Sequence, residues 1–494
     1  MKKTFLKLLT LSTLLLLIAS CSNNNSLMLK MIPHDAIAIV EMNPSTIARH
    51  LELGMNNGNI QLPKEVESIL TPETSKKVNE NFQSLTKLNI DLKSNIYLMA
   101  NLDDATSAIT MLVPIKDDKE CQQGLSELGK KNQHPIAFTE KEGMQVAIAN
   151  PQTGIAIHDG IMIAYMPMNG SIDEKKLVDY AKKLYQHDYK SIAEVDKAKE
   201  QLSSDHDINL YLNVKRLTTL MGSLNAGFYA QIPLMQYTQE VDAMCYSIDL
   251  KDRMVTIEGE VIANEDSDYM KMLNSLSDVE PSNSFLDVQP ANANMLMVYH
   301  MNGENLAKFQ QMEGIVKQIE ESGVMGDVDL MEFLKSIKGA ISVGFIKDNK
   351  GDNFEVVVGI ESTNVDYLKK AITQIAQTIT GTPFTTNDQE TIWNFGSNIV
   401  SLSSKSKTVI LKYCDNIDIA QAQPLSSNQE VQKLFKGAKS AMWGNYNING
   451  QSLHFDATSN DLKTGSMHFY ATDQAGKKMS ILCYGNLMNQ RLNF

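Results

Sequence analysis

The residues of this chain whose types and spacing come nearest to chemistry are serines and lysines. Ser84-Leu85-Thr86-Lys87 sets a hydroxyl and an amine one helical turn apart, Ser223-Leu224-Asn225 pairs a serine with an amide, and Lys463-Thr464-Gly465 adds a third element. A serine attacks an acyl carbon once a neighbouring base takes its proton, and a lysine three residues on along a helix is placed to be that base. Two softer constellations accompany them. Met295, Met297 and Met301 fall on one face of an expected strand, where thioethers suit Cu(I), while His300 points to the other face. Asp205-His206-Asp207 carries metal-capable side chains, although neighbours on a strand point opposite ways.

In their order along the chain the serine and lysine elements resemble those of penicillin-recognising acyl-transfer enzymes. The context argues against each. Ser404-Lys405-Ser406-Lys407 holds the same four-residue pattern, so it recurs by chance, and Lys463-Thr464-Gly465 sits in the polar turn of SNDLKTGS. Methionine is plentiful, with 27 in the chain, and fits core filling better than copper. Asp205 to Asp207 reads as a solvated loop before the strand INLYLNV, and His158 as a turn-flanking residue. The acidic turn from Asp348 to Asp352 lacks the spaced acids and terminal Glu of a calcium loop. There is no G-x-S-x-G, no H-E-x-x-H, no phosphate-binding glycine loop and no dinucleotide fingerprint. The reading is of a chain that is not an enzyme, with no catalytic residue, no cofactor and no metal.

The elements that would position these residues are written twice. IPHDAIAIVEMNPSTIARHL (32–51) and QPANANMLMVYHMNGENLAKF (289–309) share a Pro, an Ala three residues on, an apolar strand and Met-Asn before a helix start, at Met42-Asn43 and Met301-Asn302. The units that follow recur in order. Strand pairs at 95–115 and 340–360 each precede a helical pattern, and hairpins at 154–167 and 398–414 match, the first turning on Asp159-Gly160. DINLYLNVKRLTTL (207–220) answers SAMWGNYNINGQSL (440–453), and hairpins at 243–261 and 452–471 close each copy. The fold class is therefore α+β: two tandem, internally duplicated modules, 32–265 and 288–494, with mainly antiparallel sheets and helices packed on one face. A linker rich in Ser, Asn and Asp, 266–287, joins them. Ser84 and Lys463 fall in different modules, which further separates the acyl-transfer elements.

The address is written in the first 31 residues. Lys2, Lys3 and Lys7 precede an apolar run from Leu8 to Ala19, too short to span a bilayer, which needs ~20 apolar residues. Ile18-Ala19-Ser20-Cys21 resembles the bacterial lipobox. The resemblance implies a signal peptide over 1–20, lipidation of the Cys21 thiol and a tether over 21–31. Several acyl chains on one residue give lasting membrane anchorage. Ser22 after the Cys implies an outer-membrane lipoprotein, and the lack of acids in SNNNSLMLK favours its periplasmic face.

Composition excludes another class. The chain has 45 Lys and Arg against 58 Asp and Glu, a net −13; loss of the signal removes three Lys and no acid, leaving 42 against 58, or −16. Such a body repels nucleic acid. Cys121, Cys245, Cys414 and Cys483 have no C-x-x-C spacing and read as small buried hydrophobes, with a disulfide left open. The lipobox, the opening Ile32-Pro33-His34-Asp35-Ala36, the repeated strand-Asn-helix unit and the length together resemble a lipoprotein family of Bacteroides-like gut bacteria, domain-of-unknown-function family four-eight-three-six. His34 stands where that pattern has Lys or Ala. The resemblance implies no activity and carries over no functional residue.

The expected function is that of a lipid-anchored cell-envelope protein, a non-catalytic binding or envelope-support protein whose partner is a protein or a glycan. One alternative is glycan or peptide capture for nutrient uptake. The chain has only two Trp, so exposed tyrosines, out of 16 in all, would have to cluster in one concavity. The other alternative, a serine acyltransferase or hydrolase, requires Ser84, Lys87 and Lys463 to meet.

Overall fold

The structure is a computed structural model that describes residues 24–56, 59–102, 107–224, 239–308, 310–347, 354–386, 390–395, 398–414, 423–448 and 450–484. Residues 1–23, with Cys21 and the expected signal peptide, and the expected acidic turn at 348–352 lie outside the described residues. Two compact units divide the chain: Met1–Leu224 with Asp242–Gly259 and Lys478–Phe494, and Asn225–Val241 with Glu260–Lys477. The architecture is α+β, with antiparallel pairing in each unit.

The first unit's strands are β1 (Ala38–Met42), β2 (Ile96–Asn101), β3 (Ala108–Pro114), β4 (Thr139–Lys141), β5 (Met144–Asn150), β6 (Thr153–His158), β7 (Ile161–Pro167), β8 (Ile208–Leu212) and β9 (Val241–Asp249). They lie in the order β4-β5-β6-β7-β3-β2-β1-β8-β9. A further strand, β10 (Val255–Ala263), follows a turn at Lys251–Arg253. Asp159 and Gly160 take φ of +48° and +75° between β6 and β7, the two positive dihedrals a tight hairpin demands.

The second unit repeats that order. Its strands are β11 (Met295–Asn302), β12 (Ile337–Lys347), β13 (Phe354–Ser362), β14 (Phe384–Thr386), β15 (Thr391–Phe395), β16 (Asn398–Lys405), β17 (Thr408–Cys414), β18 (Ser440–Ile448), β19 (Gln451–Ser459) and β20 (Thr464–Thr472). They run β14-β15-β16-β17-β13-β12-β11-β18-β19-β20. Each strand pairing of the first sheet thus has a counterpart ten strands later. The matched openings behave alike: Asn43 and Asn302 each end a strand and cap a helix, accepting the N–H of Thr46 and of Asn305. Residues 266–287 hold a helix, Asp268–Leu276, and a short turn, Ser284–Asp287.

Two differences from the sequence reading concern the first unit. Residues 24–31, expected as tether, form the Asn24–Lys30 helix, with Met28 and Met31 fully buried. The apolar residues of SLMLKM explain this, since they are better placed in a core than in water. Helices also cover both faces of the sheet. In the Asp118–Lys131 helix Cys121 and Leu125 pack against Val113, Ile155 and Met162. The Glu174–Gln186 helix instead reaches Thr110, three residues from Val113 on β3 and so on the opposite face, through Tyr180. In the second unit the Gln429–Phe435 helix buries Val431 and Phe435 on Leu296, Val298 and Ala441, and Leu368 of the Val365–Thr380 helix covers Trp393, Leu402 and Val409. Cys121, Cys245, Cys414 and Cys483 are buried thiols, none of them in a disulfide.

Candidate functional site

The first unit contains a pocket of about 300 Å³, at the lower end of the volumes that hold small molecules. Five separate stretches supply its polar groups, Asp35 ahead of β1 among them. Asn101 ends β2, Tyr165 comes from β7, and Lys176, Asp179, Tyr180 and Lys183 come from one side of the Glu174–Gln186 helix; Arg216 comes from the first turn of the Val214–Leu224 helix. Local sequence explains each placement. Asp173 caps the first helix by accepting the N–H of Lys176 at 2.7 Å, and Leu177, Val178, Ala181 and Leu184 bury its inner stripe. Residues three and four apart then bring Lys176, Asp179, Tyr180 and Lys183 to the pocket. Asn213 stops β8 and accepts the N–H of Arg216 at 2.9 Å, which fixes the turn that carries the guanidinium.

The wall is aromatic and its floor is polar. The Tyr165 and Tyr180 rings lie 4.3 Å apart at 41°, and the Tyr180 hydroxyl shares a 2.8 Å hydrogen bond with Thr110. Burial pushes the Tyr180 hydroxyl up to about 12, against the lowering effect of Thr110 and of the Asn101 amide beside it. Tyr180 therefore stays protonated at neutral pH. Two of the lining residues each hold one side-chain atom that is closed to solvent and has no hydrogen-bond partner: Asn101 Oδ1, an acceptor, and Arg216 Nε, a donor. Buried polar atoms are ordinarily paired, and leaving one unpaired costs about 1–3 kcal/mol, more where the group is charged. Lys176 and Lys183 stand exposed at the rim with Asp35 and Asp179, so the mouth carries both signs of charge.

The sequence-derived candidates lie elsewhere. The Ser84 hydroxyl donates to the Glu80 carbonyl of its own helix at 2.8 Å and accepts from Lys131 at 3.1 Å. The Lys87 amine pairs with Glu127 at 2.8 Å, and the Lys463 amine with Glu265 at 2.6 Å. Neither amine is directed to the serine. The Ser223 side chain and Asn225 lie outside the described residues. Met295 and Met297 are half-buried on β11 and Met301 is buried; His300 is buried and bonded to the Ser282 and Lys439 carbonyls. No group of three metal-capable side chains occurs among the described residues. His158 flanks the Asp159-Gly160 turn and meets Tyr185 edge-on, ring centroids 5.1 Å apart.

The Asp205-His206-Asp207 segment corrects the solvated-loop reading. Asp207 is fully buried, pairs with His50 Nδ1 at 2.8 Å and accepts the Leu250 N–H at 2.7 Å, while His206 pairs with Asp249 at 2.8 Å. A second buried acid, Glu41 on β1, accepts from Asn209 at 2.8 Å and leaves Oε1 unpaired. Burial raises its carboxyl to about 8, against the Asn209 hydrogen bond.

No protein-family description matches the sequence, and no curated protein matches it. Among solved structures the chain is similar to three crystal forms of TP0453 at low scores. Form I gives a TM-score of 0.28 at 8% identity, covering 47% of this chain and 77% of that one. Form III gives 0.28 at 10%, covering 50% and 84%, and form IV gives 0.29 at 10%, covering 47% and 79%.

Proposed function

We propose that this chain is a lipid-anchored, non-catalytic binding protein of the cell envelope, and that the first unit's pocket takes up a small molecule. The observation that carries the reading is a concavity of about 300 Å³ on which Asn101, Tyr165, Tyr180 and Arg216 converge from separate stretches of the chain. Capture through tyrosines requires exposed rings, and Tyr165 is only 6% exposed, so the reading rests on the concavity itself rather than on an aromatic platform. Acyl transfer loses support, because the Ser84 hydroxyl and the Lys87 amine each have other partners. Anchorage rests on Cys21 and its flanking residues alone. Among the described residues no helix is long and apolar enough to cross a membrane.

The test is native mass spectrometry of the full-length protein after incubation with the small-molecule fraction of its own envelope. A retained adduct, lost when Leu102→Trp fills the pocket, supports the reading. No adduct, or one that Leu102→Trp leaves in place, overturns it. Lipidation is tested separately by phase partition: Cys21→Ala should move the protein from the detergent phase to the aqueous phase.

A further inference from the structure

We infer that the first unit docks on the bilayer surface at the sheet end that holds Asn95, with its pocket at the opposite end, open to water. This rests on the reading of Cys21 as the lipidated residue. Ser22 and Asn23 alone separate Cys21 from the Asn24–Lys30 helix, so the Cα atoms of Cys21 and Asn24 lie at most ~11 Å apart. That helix is built into the body of the unit. Met28 and Met31 are fully buried, and the Asn25 side chain accepts the Asn95 N–H at 2.8 Å. At its far end the Tyr189 hydroxyl donates to the Met31 carbonyl, and the Ile192 N–H donates to the Ile32 carbonyl at 2.8 Å. Several acyl chains on one residue stay in the bilayer. On so short a leash they decide which surface of the unit meets the headgroups, whereas a free tether over 21–31 would decide nothing.

Strand pairing then places the pocket. Asn95 directly precedes β2, whose first residue, Ile96, pairs with Met42 at the end of β1, and Met42 pairs with Ile208 at the start of β8. These three strand ends lie together beside the anchored helix start. At their other ends Ala38 pairs with Ala100 and with Leu212, and from there Asp35, Asn101 and Arg216 reach the pocket. The six residues of β2 set the two ends ~20 Å apart, which exceeds the leash. A ligand therefore enters from the aqueous side, and the membrane acts as the support on which the pocket is held up.

The experiment is resonance energy transfer on the full-length lipidated protein in vesicles of phosphatidylethanolamine and phosphatidylglycerol. The donor dye sits on one introduced cysteine and the acceptor dye on lipid headgroups. Lys116→Cys puts the donor just after β3, at the anchor end, and Met168→Cys just after β7, at the pocket end. Both side chains are exposed and neither lines the pocket. The unsubstituted protein, whose thiols beyond Cys21 are buried, gives the labelling blank. The ~20 Å between the two positions should give Lys116→Cys at least about twofold more transfer than Met168→Cys. A flexible Gly-Ser insert of about 20 residues after Ser22, spanning ~25 Å, should erase that difference. Equal transfer from the two positions, as from a unit lying on its side, or more from Met168→Cys, overturns the orientation. So does a difference that survives the insert. In those cases transfer that Cys21→Ala abolishes leaves the lipid anchor standing. Transfer that persists in Cys21→Ala, or none in the lipidated protein, removes the anchor and the orientation together.

Discussion

β8 and β18 hold the same place in their sheets and end differently. Asn213, just past β8, donates its N–H to the Ile37 carbonyl, and Asn445 donates to Asn294 in the same way, both at 2.8 Å. After Asn213 the chain turns into the Val214–Leu224 helix; after Asn445 the strand runs on to Ile448 and returns directly as β19. The cause is local. Asn213 is followed by VKRLTTL, whose apolar residues recur at helical spacing, whereas Asn445 leads to Asn449-Gly450, a hairpin dipeptide, with Gly450 at φ +83°. Only the first outcome brings an arginine to a pocket. One topology is thus held by pairing, while the chemistry sits where a strand is cut short.

The units also treat a buried glutamate in opposite ways. Burial keeps Glu41 protonated in the first. In the second, burial disfavours charge on Glu361 too, but Ser284, the Ala340 N–H and Lys407 outweigh it and hold the carboxyl below its usual range. The pH dependences follow with opposite sign. Glu41, raised from 4.5 to about 8, contributes stability that is complete below 4.5 and is lost as pH rises toward 8. Glu361, lowered from 4.5, contributes stability above that value that is lost as acid protonates it. Both tryptophans, Trp393 and Trp443, lie in the second unit, so their emission follows that unit alone and amide exchange follows both.

The contrast can be broken most forcefully at the helix start after the capping Asn. That place holds Pro44 in one unit and Gly303 in the other, and a Cβ on Gly303 would lie 1.9 Å from the Leu334 carbonyl oxygen. Gly303→Ala should cost about 3 kcal/mol by overpacking, whereas Pro44→Ala should cost well under that, both read from urea midpoints by tryptophan emission and amide exchange. Next, Glu41→Gln should stabilise the first unit by roughly 2–3 kcal/mol at pH 7 and flatten its stability between pH 5 and 8; an unchanged slope would remove Glu41 as its source. Glu361→Gln should destabilise the second unit by about 2 kcal/mol at pH 7, through the loss of charge-assisted hydrogen bonds, and shift its acid midpoint upward. The smallest effect sharpens the opening comparison. Asn213→Ala should cost about 1 kcal/mol through its lost cap, and Asn445→Ala less than about 0.5 kcal/mol.

What could be read beforehand was what neighbouring residues determine. The paired hairpins, the Asp159-Gly160 turn and the capping roles of Asn43 and Asn302 depend on residues within a few positions, and they appear where the pattern placed them. The pocket was not legible, because Asn101, Tyr165, Tyr180 and Arg216 meet only through strand order. No local signal marks Arg216. Asp207 and His50 are 157 residues apart, so their pairing had no sequence signature either. Glu41 could have been noticed: it shares a face with Ile39 and is as buried, an acid in an apolar position of the alternation. Reading NYNINGQSL as a copy of LNVKRLTTL hid the hairpin signal of the dipeptide Asn449-Gly450, because a repeat match weighs spacing over turn chemistry.

The last described residues belong to the first unit. Arg253 is clamped by Glu52 and Glu65 and donates to the Lys478 carbonyl, Glu65 accepts the Ser480 N–H, and the Tyr484 hydroxyl returns to the Arg253 carbonyl. Synthesis delivers a chain from its N-terminus. The unit begun first is therefore the one completed last, after more than two hundred residues of the other have been made. A premature stop anywhere in the second half would strip the opening unit of its closing clasp as well as shortening its neighbour.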